Sequence, residues 1–287
     1  MRRPLPAPLK ALLGALIAAL ALAGVEGLLR IAAWPDPGLY EGDPASLWYL
    51  RPDLDREVPH PDAGSFRVQT NAAGLRGAAP PTRGPWTLAL GCSTTFGWGV
   101  AEADAWPAQL AARIGEPVVN GGVPGWSTEQ AVAGADRWLQ QGPTRVILAY
   151  LVRDAWPADR PDATAAPTPW PLRTRLAALL RPQTEPSHAA PASLPSTPAA
   201  SSRVPPDRFR DNLARLIAAS GDAEVVLLAF PTRSPAAVAP WVERMRAAGP
   251  TLAPVLASEA FFATDPVHLT ASGHGALAQA VAEGLRP

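Results

Sequence analysis

The sequence has a single cysteine among its 287 residues and only four histidines. One cysteine cannot form a disulfide within the chain, and neither residue type shows the spacing of a metal site. Lysines and arginines number 25, and aspartates and glutamates also number 25, so no basic excess exists to neutralise nucleic-acid phosphates. We therefore predict no metal, no cofactor and no nucleic-acid partner. The chain is long enough, with 47% apolar residues, to bury one sizeable core.

Long apolar runs are also scarce, and the one such run covers residues 11–25. It follows three positive charges, Arg2, Arg3 and Lys10. Positive charge before an apolar helix predicts a cytoplasmic N-terminus, because cytoplasmic flanks carry an excess of lysine and arginine. The rest of the chain is therefore predicted to be exported.

The length of this run bears on how it meets the membrane. As a helix it covers about 22 Å, which is short of a hydrocarbon core of about 30 Å. The helix becomes long enough if it continues to Trp34, with Glu26 and Arg30 pairing on one face at the far interface. We predict an uncleaved single-pass anchor in the cytoplasmic membrane. The alternatives are a signal peptide cleaved near residues 21–23, which gives a secreted protein, and a buried soluble helix.

Changes in composition divide the chain into three parts. Residues 1–34 form the anchor or signal segment, residues 35–85 form an extension rich in proline and glycine, and residues 86–287 form the main domain.

The extension has one strand-like stretch, residues 66–70, followed by a turn signal. We expect the extension to pack on the edge of the main domain rather than to bind substrate. Trp48 and Tyr49 are alternatively placed at the membrane surface. His60 and His188 lie in proline-rich segments, and we expect both to be solvated.

The main domain alternates strands with helices. Its continuous apolar runs are typical of parallel strands covered on both faces. These runs cover residues 86–90, 117–120, 145–151 and 224–230. Helical patterns cover residues 106–114, 128–140, 207–220 and 271–285. This order predicts an α/β fold with a three-layer, doubly wound parallel sheet and a functional site at the carboxyl ends of the strands.

One insertion, residues 157–206, interrupts the alternation with 12 prolines. Serine, threonine and alanine fill much of the rest, so we expect most of it to be irregular. Residues 171–181 show a short helical pattern with three arginines. We expect this helix to dock on the core, with a lid or a membrane-surface contact as alternatives.

Two short segments carry the candidate chemistry. Residues 91–97, Gly-Cys-Ser-Thr-Thr-Phe-Gly, place a serine hydroxyl in a glycine-flanked turn directly after a strand-like run. Residues 265–268, Asp-Pro-Val-His, put a carboxylate three residues before an imidazole. Nucleophilic acyl transfer needs a serine, a base to take its proton and an acid to orient that base. Ser93, His268 and Asp265 are therefore the candidate catalytic residues.

Residues 86–287 resemble the SGNH (GDSL-type) hydrolase family, whose first block reads Gly-Asp-Ser or, in one branch, Gly-Gly-Ser-Thr-Thr. Cys92 here occupies the variable second position. A second block, residues 118–125, places Gly125 where the family has its oxyanion-hole glycine, and the last block is 265–268. The resemblance implies a flavodoxin-like SGNH fold and membership of an exported or membrane-anchored branch. It also implies an oxyanion hole formed by the backbone N–H groups of Ser93 and Gly125.

One block departs from the family pattern. Where the family has Gly-Xaa-Asn-Asp, this chain has Arg153 in the place of the asparagine, followed by Asp154. That asparagine ordinarily donates a hydrogen bond to the oxyanion, and losing such a donor typically costs about 10² to 10³ in rate. Arg153 replaces the donor if its side chain folds back to the same point. Alternatively it turns away and pairs with Asp154 or with a substrate carboxylate, and the sequence leaves these alternatives open.

The predicted function is a serine ester hydrolase acting outside the cytoplasmic membrane on an acyl ester linked to a carbohydrate or a lipid. The alternatives are an O-acyltransferase that modifies a cell-envelope polysaccharide and a non-catalytic glycan-binding member, the latter motivated by Arg153. Cys92 is expected to be a packed thiol rather than a nucleophile. His274 is expected to be structural or exposed rather than catalytic.

Overall fold

The computed structural model describes residues 6–32, 34, 38–165, 175–179, 201–265 and 267–286. The predictions for His188 and for most of the helical pattern at 171–181 lie outside these residues.

Helix α1 (Ala7–Ile31) contains the apolar run and extends beyond it at both ends. Its 25 residues have a mean hydropathy of 2.2 over the most apolar window, none of which is buried in the protein. A helix of this length covers about 37 Å, which is enough to cross a bilayer. Arg30 donates from Nε to Glu26 Oε1 at 2.7 Å, the pairing that the sequence predicts. By length and composition, α1 is a candidate membrane-spanning or signal helix.

The extension forms two antiparallel hairpins. Strands β1 (Tyr40–Asp43) and β2 (Leu47–Leu50) make the first, and strands β3 (Asp55–His60) and β4 (Gly64–Gln69) make the second. Their apolar side chains belong to the same hydrophobic core as those of the main domain. Trp48 and Tyr49 are among these partly buried side chains, so they lie against the protein.

The main domain is built on a five-stranded parallel sheet. In chain order its strands are β5 (Thr87–Gly91), β6 (Val118–Gly122), β7 (Arg145–Ala149), β8 (Glu224–Leu228) and β9 (Thr251–Leu252). The spatial order β6-β5-β7-β8-β9 is that of a flavodoxin-like doubly wound sheet. Every residue of β5 is buried, which explains why its sequence reads as a continuous apolar run.

Helices cover both faces of this sheet. After α1, the helices of the described residues are α2 (Ser93–Phe96), α3 (Trp106–Ile114), α4 (Thr128–Gly134), α5 (Asp136–Leu139), α6 (Arg175–Leu179), α7 (Pro206–Ala219), α8 (Pro235–Ala248) and α9 (Ala271–Gly284), of which α6 lies against α1. Short 3₁₀ turns occur at Glu102–Asp104, Asp162–Thr164 and Ser258–Ala260. Helix α3 packs against α9, while α7 packs against α4 and α8, so the helices form two groups. The three-layer doubly wound fold is therefore confirmed.

In the extension, strands β1, β2 and β3 were not predicted, and three elements of the main domain also differ from the sequence predictions. The single helix predicted at 128–140 is divided into α4 and α5 at Ala135. Helix α8 was not predicted, and it contains Pro240, a residue that sequence rules treat as a helix breaker. Strand β9 was also not predicted, because two residues are too few to show a strand pattern.

The short helix in the insertion does not follow the expected docking. Helix α6 contacts α1 rather than the sheet domain's helices, and the Leu176 N–H donates to Glu26 Oε2 at 3.0 Å. The carboxylate of Glu26 offers an acceptor to an N–H in the first turn of α6, where backbone N–H groups have no partner within the helix. The prediction that the helix at 171–181 docks on the core is therefore wrong for its described part, α6.

Candidate active site

The candidate site lies at the carboxyl ends of β5 and β7. Strands β5 and β7 are neighbours in the sheet. The chain leaves β5 towards β6 on one side of the pair and leaves β7 towards β8 on the other side, so the loops that follow β5 and β7 diverge. Such a switch point is the usual place for ligands in doubly wound folds. Ser93 begins α2 two residues after β5, and Arg153 follows β7 in a turn. The two loops therefore place both residues at the same edge of the sheet.

Ser93, His268 and Asp265 form a continuous hydrogen-bonded chain. His268 Nε2 lies 2.7 Å from Ser93 Oγ, and His268 Nδ1 lies 2.6 Å from Asp265 Oδ2. Only 4% of the His268 surface is exposed, so the imidazole is held by the protein rather than by solvent. Three residues from segments 175 positions apart thus meet with the geometry that a nucleophile, a base and an orienting acid require.

The Asp265 carboxylate is fixed on both oxygens. Its Oδ1 accepts from the backbone N–H groups of Val267 at 2.9 Å and His268 at 3.0 Å, while Oδ2 faces the imidazole. Burial alone would raise the pKa of Asp265, but the hydrogen bond and charge of His268 outweigh it and bring the pKa to about 2. The carboxylate is therefore ionised throughout the neutral range.

A tight turn after β6 brings Gly125 beside Ser93. The turn is closed by the Trp126 N–H, which donates to Val123 O at 3.1 Å. Pro124 precedes Gly125, whose φ of +86° is the left-handed conformation required at the third position of a type II turn. The N–H groups of Ser93 and Gly125 donate to no other described residue, so both are available to an oxyanion.

Arg153 lines the same small cavity as Ser93, Gly125 and His268. The cavity holds about 20 Å³, and its remaining walls are Cys92, Val152, Trp156 and Val267. The guanidinium carbon of Arg153 lies 5.5 Å from the centre of the Trp156 ring. Burial and the nearby charge of Arg203 lower the pKa of Arg153 to about 10, so the side chain remains a cation at neutral pH.

The structure excludes one of the alternatives that the sequence left open for Arg153. Asp154 does not pair with it, since Asp154 Oδ1 accepts from the Thr128 N–H at 2.9 Å and the Thr128 hydroxyl at 2.6 Å. Asp154 is fully buried, and burial raises its pKa to about 7. Its role is to tie the loop after β7 to the first turn of α4.

The two ends of the insertion meet beside the Gly125 turn. Arg203, at one end, and Asp162, at the other, form a largely buried ion pair of 2.8 Å. Asp162 Oδ2 also accepts from the Ser127 hydroxyl at 2.7 Å, and Arg203 donates to Gly125 O at 3.1 Å. The insertion therefore begins and ends on the loop that carries the candidate oxyanion donor. Sequence reasoning missed this pair because its members lie 41 positions apart.

The second hairpin of the extension contacts the loop of Asp265 and His268. Asp62 Oδ2 accepts from the Thr264 N–H at 3.1 Å and from the Thr264 hydroxyl at 2.9 Å. The ring of His60 lies 4.6 Å from that of Phe262, which precedes this loop.

His60 is 5% exposed, so the prediction that it is solvated is wrong. Burial and the charge of His268 lower its pKa. Its Nδ1 accepts from the N–H groups of Asp62 and Ala63 in the turn of the hairpin. This turn covers the imidazole on one side and Phe262 covers it on another, which explains how a polar side chain in a proline-rich segment becomes buried.

The extension also holds the other two loops of the site. Arg76 is 1% exposed, lies 4.3 Å from the centre of the Phe96 ring and donates to the carbonyl oxygens of Phe96, Gly97 and Val100. These carbonyls close the short helix that begins at Ser93. Trp48 Nε1 donates to Pro124 O at 3.2 Å in the Gly125 turn. Each of the three candidate site segments is thus in contact with a residue of the extension.

The other polar residues singled out in the sequence have structural positions. Cys92 is a buried free thiol whose sulfur lies 3.3 Å from Thr94 Oγ1, as predicted for a packed thiol. His274 is fully buried, and its Nδ1 accepts from the Trp106 N–H at 3.2 Å, which joins α9 to α3. Burial lowers the pKa of His274 to about 3. No group of three or more potential metal ligands lies together among the described residues.

A doubly wound α/β fold that brings a serine, an imidazole and a carboxylate together at its switch point is an arrangement typical of α/β serine hydrolases. Within that class, the chain belongs to the GDSL-like Lipase/Acylhydrolase family, whose model matches residues 89–276. The protein is therefore an ester-hydrolysing enzyme. The match begins inside β5, so the extension and α1 lie outside it. No curated protein matches the chain.

Solved structures to which the chain is similar are distant in sequence. A lipolytic protein of the G-D-S-L family from Desulfitobacterium hafniense is 15% identical, with 70% of this chain and 100% of that chain covered and a TM-score of 0.47. A lipase/acylhydrolase from Enterococcus faecalis is 16% identical, with 70% and 95% covered and a TM-score of 0.47. A family two carbohydrate esterase from Cellvibrio japonicus is 13% identical, with 74% and 63% covered and a TM-score of 0.47.

Proposed function

We propose that the protein is an exported serine esterase in which Ser93 is the nucleophile, His268 the general base and Asp265 the residue that orients the base. The observation that carries this proposal is the unbroken chain of hydrogen bonds from Ser93 Oγ through the imidazole to the ionised Asp265 carboxylate. It lies beside two unengaged N–H groups where an oxyanion would form.

In the proposed mechanism His268 Nε2 takes the proton of Ser93 as Oγ attacks the ester carbonyl. The N–H groups of Ser93 and Gly125 and the guanidinium of Arg153 stabilise the resulting oxyanion. When the tetrahedral intermediate collapses, the carbon–oxygen bond to the alcohol breaks and the alcohol leaves with the proton from His268. Water then attacks the acyl-enzyme with His268 again as base, which releases a carboxylate and regenerates Ser93.

The substrate is proposed to be an acyl ester of a carbohydrate or a lipid. Transfer of the acyl group to a sugar hydroxyl would use the same three residues. We favour hydrolysis because it is the reaction of the family and because no described feature distinguishes a sugar acceptor from water.

A covalent label tests the nucleophile directly. A fluorophosphonate reagent is expected to attach to Ser93, because a serine activated by an imidazole attacks phosphorus and displaces fluoride. Mass spectrometry of the digested full-length protein should find the adduct on Ser93, and the Ser93→Ala variant should remain unlabelled. A Cys92→Ala variant is the matched control and should label at the wild-type rate. An adduct on Cys92, or no adduct under conditions in which the protein hydrolyses esters, would refute the assignment.

We also propose that the chain is a membrane-anchored member of the branch with a Gly-Xaa-Ser-Thr-Thr first block. Residues 1–34 would be the anchor, 35–85 the extension and 86–287 the catalytic domain, with an insertion at 157–206. Two features support retention of α1: its length and its Glu26–Arg30 pair, which reduces the cost of placing two charges near the interface. The charges at Arg2, Arg3 and Lys10 favour an exported catalytic domain.

The location can be measured in cells with an alkaline phosphatase reporter, which is active only after export, fused after residue 287. The fusion is expected to be active and to sediment with membranes until detergent is added. Intact-mass analysis should find residues 1–34 still attached. An inactive reporter would contradict export, whereas an active, soluble product that begins near residue 24 would replace the anchor with a cleaved signal.

A further inference from the structure

We propose that Arg153 makes the cavity beside Ser93 a binding site for a short carboxylate anion, of which acetate is the simplest. The inference rests on the proposed function, because the same cavity would receive the acyl group of the ester. The inference goes beyond that function, because it states that the enzyme binds a free carboxylate when no ester is present.

The first observation is a partly buried cation whose Nε has no partner. Arg153 is intermediate in exposure, but its Nε is buried and makes no hydrogen bond within the described part of the chain. Its described contact is the face of Trp156. A guanidinium removed from water without compensating bonds is costly, and a carboxylate matches its paired donors best.

The second observation is the balance of charge around the cavity. Three acidic groups of the surrounding loops are already engaged, since Asp162 pairs with Arg203, Asp154 accepts from Thr128 and Asp265 contacts His268. Arg203 adds a second positive charge near Arg153, and its effect on the pKa of Arg153 shows that the two interact. The family has a neutral asparagine in the place of Arg153, so the positive charge is a property of this chain. The two guanidinium groups would attract an anion in the cavity.

The third observation is size. The cavity volume is about 20 Å³, and the cavity is partly open to solvent. We expect its walls, formed by Val152, Trp156 and Val267, to leave room for the methyl group of acetate and to hinder a longer chain. The site should therefore prefer acetate to hexanoate.

This site has a consequence for turnover. Ester hydrolysis releases a carboxylate in the same cavity, so the product would stay bound to Arg153 and compete with the next ester. Acetate is therefore expected to be a competitive inhibitor of short-chain ester hydrolysis.

The decisive experiment measures binding without turnover. The full-length Ser93→Ala protein, purified in detergent, is titrated with ¹³C-acetate and followed by NMR line broadening, with ionic strength held constant by sodium chloride. We expect saturable binding in the millimolar range and at least tenfold weaker binding of hexanoate. Adding Arg153→Asn, the residue of the family, should weaken acetate binding at least tenfold, while adding Arg208→Gln should not. Arg208 is the matched control because it pairs with Glu129 at the surface.

The outcomes separate this inference from the proposed function. Absence of saturable acetate binding to Ser93→Ala, or equal binding after Arg153→Asn in a protein with unchanged circular dichroism, would overturn the carboxylate site. If Arg153→Asn does not fold, the preference for acetate over hexanoate decides, and equal affinities would overturn the inference. Ester hydrolysis by the wild-type protein is measured separately, and its absence would count against the proposed function instead.

Discussion

Replacing Ser93 with alanine is expected to lower kcat/KM for p-nitrophenyl acetate by about 10⁴ to 10⁶, the range found when a serine nucleophile is removed from related chemistry. The substitution deletes the oxygen that lies 2.7 Å from His268 Nε2 and leaves the imidazole and the Asp265 carboxylate in place. Because Ser93 begins a helix and only its side chain is changed, its backbone N–H remains available to an oxyanion. The residual rate would then come from direct attack of water on the ester, with that N–H and the Gly125 N–H stabilising the oxyanion.

The measurement is initial-rate hydrolysis by the full-length proteins, with the thermal unfolding temperature as a check on folding. Cys92→Ala is the informative control, because Cys92 adjoins Ser93 and lines the same cavity. It should change kcat/KM by less than about tenfold, as expected for a packing residue. A Ser93→Ala variant that keeps more than about one per cent of wild-type activity would show that another group attacks the ester.

Much of this site could be predicted from the sequence, because its residues follow strand ends. In a parallel sheet the carboxyl ends of all strands lie along one edge, so Ser93, Gly125 and Arg153 need only follow β5, β6 and β7 to meet there. The strands are recognisable as continuous apolar runs because helices cover both of their faces. The bounds of α3 were also predictable, since a proline in its first turn and Gly115 at its end are strong local signals.

The orientation of Arg153 could not be predicted. Its neighbour in sequence, Asp154, offers an obvious partner, and only the fold shows that Asp154 instead caps α4 through Thr128. Arg203, which adds positive charge beside Arg153, lies at the far end of the insertion. Whether a charged residue pairs with its neighbour depends on such distant groups, which no pattern of spacing reveals.

The contacts between the extension and the loops of the site also could not be predicted from the sequence. His60, Asp62 and Arg76 act on loops that follow them by 20 to about 200 positions. Sequence rules describe residues that share a helix face or a strand face, a few positions apart. In the sequence, Arg76 is only the last residue of the turn signal at residues 71–76. Its burial against the carbonyls of Phe96 and Gly97 depends on the fold of the whole domain. Since the family match begins at residue 89, these contacts are additions to the family core.

Replacing Asp265 with asparagine is expected to lower kcat/KM by about 10⁴ near neutral pH, through the tautomer of His268. An asparagine that keeps its oxygen toward the N–H groups of Val267 and His268 preserves two hydrogen bonds of 2.9 and 3.0 Å. Its amide N–H₂ then faces His268 Nδ1, which must accept rather than donate. The imidazole proton moves to Nε2, the atom that should take the proton of Ser93, and the base is lost while the fold is kept.

Asp62→Asn is the matched control for this prediction. Asp62 binds the same loop through Thr264, and an asparagine oxygen can still accept both of those hydrogen bonds. Asp62 makes no hydrogen bond to the imidazole of His268, so its substitution should change kcat/KM by less than about threefold. If both variants lose activity equally, the prediction is wrong, and Asp265 and Asp62 serve only to hold the shape of the loop that carries His268. A large loss confined to Asp265→Asn, with the unfolding temperature unchanged, would instead place the effect on the imidazole of His268. The asparagine oxygen keeps the hydrogen bonds from the Val267 and His268 N–H groups, so the contact with the imidazole is the one that the substitution changes.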